Sequence, residues 1–169
     1  MTTRRPMETI EFTPPDLEAV ADFLRHLSDA GQGWVNLMPG VQLEEERTVA
    51  PSGLFGLFGN RQPPVTMCTL MPPRKDRQAI EGTTVGLLHP TGAKAVARLA
   101  EAGVILPSGW LVRQDHARRG LVVRTQPDAP GVDVIRWSVQ AGTALCREEM
   151  TGRWQAVVYL PQSAGRTIA

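Results

Sequence analysis

Cysteine is scarce in this chain: Cys68 and Cys146 are the only two in 169 residues, far apart and outside any C-x-x-C spacing. That excludes a disulfide-dense scaffold and a zinc site built from several thiolates. Lysine is as rare, with Lys75 and Lys94 alone, so sixteen of the eighteen basic residues are arginine. The bias fits GC-rich coding, and it also supplies the planar forks that recognise carboxylate and phosphate. Net charge is only +1, so nothing in the overall field attracts nucleic acid or an anionic membrane. Such binding would need a local patch.

No apolar run approaches the ~20 residues of a membrane-spanning helix. The opening stretch MTTRRPMETIEF carries two arginines but no apolar core behind them, unlike a secretory signal. The expectation is a cytoplasmic protein with reduced thiols.

Catalytic signatures are missing too. There is no G-x-S-x-G elbow, no Walker loop and no G-x-G-x-x-G after a strand. His26, His89 and His116 are scattered, without the spacing of a metal site. Cys68, inside TMCTL, reads as a small buried hydrophobe, and Cys146 ends a helical apolar stripe. The carboxylates at Glu44 to Glu46, Glu148 and Glu149 read as solvated turns. No catalytic residue, metal or cofactor is assigned, and the expectation is a protein that is not an enzyme.

What is present suits one globular domain: 42% apolar and 21% charged residues can build a core, in a length typical of a single domain. Residues 1–11 and 162–169 are polar and expected to be loose. TPPDLEAVADFLRHL predicts a helix, with Thr13 as cap and Pro14 in the first turn. Its stripe is Leu17, Val20, Ala21, Leu24 and Leu27. Strands follow in GWVNLMPGVQL, interrupted at Pro39-Gly40, and in VTMCTLMP.

From about residue 83 the order becomes regular. TVGLLH is a strand and GAKAVARLAEAG a helix capped by Thr91. WLVRQD and LVVRT form a hairpin. A helix after Asp128 and the strand RWQAVVYLP complete the series. This is an α+β protein with an antiparallel-rich sheet and the βαββαβ order of a ferredoxin-like unit, preceded by an α-β-β part.

Two segments draw attention. The hairpin WLVRQDHARRGLVVRT holds Arg113, His116, Arg118, Arg119 and Arg124, and simple pairing would set Arg113 beside Arg124. Like charges facing each other cost stability unless an anion or carboxylate intervenes. The loop SGLFGLFGN sets Leu54, Phe55, Leu57 and Phe58 among glycines, with Arg61 behind them. Side chains of this size forfeit ~1.5–3 kcal/mol each if left in water, so they must find an apolar surface. They pack on their own domain, as a plug, or on a partner.

The expected function is a non-catalytic protein-interaction or self-association domain, with the Leu-Phe-Gly loop as anchor and the arginines as polar rim. One alternative is a winged-helix-like nucleic-acid binder that uses the hairpin as its wing. Another is a small-anion binder or enzyme that uses Arg113 and Arg124.

Overall fold

The computed structural model describes residues 6–42, 65–74, 76–77 and 79–160. Ten elements follow one another: β1 (Pro6–Phe12), α1 (Glu18–Ala30), β2 (Trp34–Val41), β3 (Met67–Met71), β4 (Thr84–Leu88), α2 (Ala95–Glu101), β5 (Leu111–His116), β6 (Gly120–Arg124), α3 (Gly131–Leu145) and β7 (Met150–Tyr159). All seven strands join one antiparallel sheet in the order β1-β7-β2-β3-β4-β6-β5.

The α+β reading holds, while the sheet order is wider than a ferredoxin-like unit allows. In such a unit the last strand would lie beside the first, here β7 beside β4. Instead β2 and β3 stand between them. The chain therefore makes two split β-α-β units, one at each end of the sheet. β1 and β2 run parallel with β7 between them, and β4 and β5 run parallel with β6 between them. The β2-β3-β4 meander joins the two.

Of the ends expected to be loose, residues 1–5 and 162–169 lie outside the described residues, while residues 6–11 belong to a strand that pairs with β7 from Pro6↔Tyr159 to Phe12↔Trp154. Alternation explains this: Ile10 and Phe12 point to the core while Thr9 and Glu11 point away. Pro39 does not end β2, because the strand absorbs it in an irregularity between Pro39 and Val41.

The three helices form one layer on one side of the sheet. α3 packs over β2, β3 and β4, with α1 and α2 against its flanks. The expected stripe of α1 is buried at Leu17, Val20, Leu24 and Leu27, and Gly31 ends the helix in the left-handed conformation at φ 66°. Beneath the helices lie Val35, Leu37, Leu70, Val85, Leu87, Leu121, Val123, Trp154, Ala156 and Val158. At Gly142 the helix comes very close to the sheet, since a Cβ there would sit 2.7 Å from Trp154 Cη2. Only glycine fits that approach.

The predicted caps differ from the observed ones. α1 begins at Glu18 rather than beside Thr13, and neither Thr13 nor Asp128 caps a helix with its side chain. Thr91 shares its hydroxyl with His89 Nδ1 at 2.9 Å. The first amides of α2 are instead met by Asp115 of β5, at 3.0 Å from Ala95 N and 3.1 Å from Val96 N.

Candidate functional site

Among the described residues, no helix packs on the second face of the sheet. Strand register arranges its side chains in three rows. The first runs Tyr159, Trp34, Met71, Thr84, Arg124, Leu111. The second runs Thr9, Val157, Asn36, Thr69, Gly86, Val122, Gln114. The third runs Glu11, Gln155, Met38, then Met67, Leu88, Gly120, its two parts aligned by the neighbouring pair Leu37↔Cys68.

Antiparallel strands that turn one face to water usually alternate apolar and polar. These strands do not. MCTLM, TVGLL and QAVVY carry apolar side chains on both faces. Trp34 and Tyr159 stack with ring centroids 5.1 Å apart and planes 13° off parallel. Thr69 Oγ1 donates to Asn36 Oδ1 at 2.9 Å, so the central polar pair is satisfied internally. Met71 and Leu111 are 41% and 57% exposed, which continues the apolar character to the rim. Among the described residues of these three rows, charge enters near the corners, with Glu11 and Arg153 4.0 Å apart at one and the Arg124–Glu81 pair at the other.

The arginine hairpin is arranged differently from expectation. Arg113 is the extra residue of a bulge: Val112 faces Val123, Gln114 faces Val122, and the residue opposite Arg124 is Leu111. Arg113 and Arg124 thus do not form a facing pair. Arg124 reaches Glu81 Oε1 at 3.6 Å, and Arg77 reaches the same oxygen at 3.3 Å. Arg118 and Arg119 are exposed at the turn, where both backbone amides donate to His116 Nδ1 at 3.1 and 3.3 Å. His116 therefore holds the turn closed. The hairpin is also no free wing, because β6 pairs with β4 along its other side.

Leu54, Phe55, Leu57, Phe58 and Arg61 lie outside the described residues.

The tryptophans divide by role. Trp110 meets Trp137 edge-on at 5.4 Å, and Trp137 Nε1 donates to the Ile105 carbonyl at 3.1 Å. Trp154 is buried against Phe12. Trp110 and Trp154, which both stand at the start of predicted strands, are thus core anchors. The aromatic pair on the second face is Trp34 with Tyr159. The weakened alternation of β2, β3 and β4 is the sequence signal for this face, since the phase that faces away from the helices carries Trp34, Met38, Met67, Met71 and Leu88.

Titratable groups in the core are few. The Cys68 thiol, fully buried and donating to the Ser138 carbonyl at 3.3 Å, is pushed up to about 12 by burial. His89 is 2% exposed, and burial lowers its imidazole below the ordinary value. Among the described residues no three His, Cys, Asp or Glu side chains gather as metal ligands, and no helix is long and apolar enough to cross a membrane.

Against family models, curated proteins and solved structures, the chain matches none.

Proposed function

We propose that this chain is an association module that pairs with a second copy of itself through the second face of the sheet, without chemistry of its own. One observation carries the reading. A seven-stranded sheet covered by helices on one side presents, on the other, three rows of largely uncharged side chains that include a Trp–Tyr stack.

Size supports it. Seven strands ~4.8 Å apart and three rows ~6.8 Å apart outline on the order of 700 Å². That is comparable to the ~800 Å² per partner of a stable interface. Charge supports it as well. Among the described residues the charges of this face stand at its corners, so its centre sets no like charges against each other when it meets its own copy, as a twofold contact requires. A strongly charged partner would find no complement in its centre. Two such faces would pack as aligned sheets ~10 Å apart, with Val122, Met38, Met67 and Leu88 interdigitating. The hairpin arginines Arg118 and Arg119 would lie at the rim in this arrangement, consistent with a polar border to an apolar centre.

Sedimentation equilibrium tests the proposal. The expected result is a dimer at micromolar concentration that Val122→Asp converts to a monomer while far-ultraviolet circular dichroism stays the same. A wild-type monomer at several hundred micromolar would overturn self-pairing and leave the face to another occupant. The nucleic-acid reading is tested by the same protein in a polarisation titration with duplex DNA. Affinity that falls steeply with salt, and a slope reduced by Arg118→Ala/Arg119→Ala, would favour it over self-association.

A further inference from the structure

We infer that the cleft beside Arg74, Arg77 and Arg124 is a binding site for a small oxyanion carrying two or more negative charges, such as a phosphate or an organic polycarboxylate. The cleft, about 290 Å³, is walled by Met71, Pro72 and Pro73, by Arg74 and Arg77, and by Glu81, Gly82 and Thr84. It lies at one corner of the second sheet face, since Met71 pairs with Thr84 and Thr84 with Arg124.

Charge in this corner is unbalanced. Arg77 and Arg124 share one oxygen, Glu81 Oε1, at 3.3 and 3.6 Å. Both distances exceed the ~2.7–2.9 Å of a well-formed charge-assisted hydrogen bond, so one carboxylate serves two guanidinium groups and grips neither closely. Arg74 adds a third positive charge on the cleft wall. Asp76, in the same loop, is exposed and does not line the cleft. Among the described residues the cleft wall thus sets Arg74 and Arg77 against the single carboxylate of Glu81, which Arg124 also engages from just outside the lining.

Arg124 is also under-satisfied. Its Nε is buried without a hydrogen-bond partner among the described residues, and its ion pair to Glu81 is long. A buried donor left unpaired is costly, so an acceptor that draws the Arg124 side chain into the cleft gains what Glu81 does not supply. Planar guanidinium forks favour ligands that present two oxygens together, which selects phosphate and carboxylate over halide. Glu81 repels such a ligand, and that sets the sense of the decisive variant.

The probes are inorganic phosphate and citrate, titrated calorimetrically into the full chain at constant ionic strength with sodium chloride as the reference. Saturable binding of one or both is expected, weakened about tenfold by Arg77→Ala, the loss of one charge-assisted contact. Glu81→Gln should tighten binding several-fold, an effect that a merely structural Glu81 would not produce. Arg118→Ala/Arg119→Ala should leave it unchanged. Phosphate binding without citrate binding assigns the site to phosphoryl groups, and the converse assigns it to polycarboxylates. Arg77 is exposed, so its variant keeps the test valid if Arg124 variants do not fold. The same titration on Val122→Asp separates this site from self-pairing. No saturable binding beyond chloride, or weaker binding in Glu81→Gln, would overturn the inference.

Discussion

The carboxylate of Asp115 accepts the Ala95 amide at 3.0 Å, and through its other oxygen the Val96 amide at 3.1 Å, so a strand caps a helix from twenty residues away. The local sequence cannot do this. Lys94 holds the cap position in the left-handed conformation at φ 63°, and its side chain makes no cap hydrogen bond. α2 has only seven residues, too short to persist without tertiary support.

Asp115→Ala should therefore cost about 1 kcal/mol, the usual cost of a lost N-terminal cap. Asp115→Asn, which keeps an acceptor and drops the charge, should recover roughly half of that by weaker interaction with the positive end of the helix. Urea denaturation of the three proteins measures both. Equal stability would show that α2 is held by the burial of Ala95 and Leu99 alone.

His89 predicts the acid response. Burial is the main cause of its lowered pKa, with Arg98 acting in the same direction and Asp115 against it. The unfolded chain then takes up a proton at its ordinary value near 6.5, where the folded chain still keeps the imidazole neutral. Stability is thus complete above that value, falls as pH drops from it through the lower folded value, and levels off below. His89→Gln should flatten the dependence of Tm on pH between about 7 and 5, in keeping with the removal of one linked proton. An unchanged slope would assign the acid response to other groups.

Cys68 should be inert in the native protein. Its thiol, buried and pushed up to about 12, is neither ionised nor reachable at neutral pH. A disulfide reagent is expected to label the half-buried Cys146 first and Cys68 only as the protein unfolds. Rapid labelling of both under native conditions would contradict the packing of β3 against α3.

Much of the fold was legible from local pattern. The stripe of Leu17, Val20, Leu24 and Leu27 marks α1, because a period of 3.6 residues places those side chains on one face. The buried role of Cys68 follows from its place in a short apolar strand. The Arg113–Arg124 pairing failed because one bulge residue shifts the hairpin, and nothing in the sequence distinguishes a bulge from a regular ladder. The candidate face was half-visible. The strands break alternation openly, but the conspicuous features of the sequence are the hairpin and Leu54 to Phe58, while the aromatic pair, Trp34 with Tyr159, is 125 residues apart in sequence.

The amino-acid order by itself determined most helices and strands and which of their side chains leave water, because those choices depend on neighbours a few residues away, whereas β1 is a strand through its pairing with β7. Tertiary structure decided that β2 and β3 lie between β4 and β7, that Asp115 caps α2, and that Arg124 turns to Glu81. Backbone hydrogen bonds between strands are alike for every sequence, so local pattern accepts many strand orders. The packing of the three helices on one side of the sheet, and cross-strand pairs such as Trp34 with Tyr159 on the other, select among them.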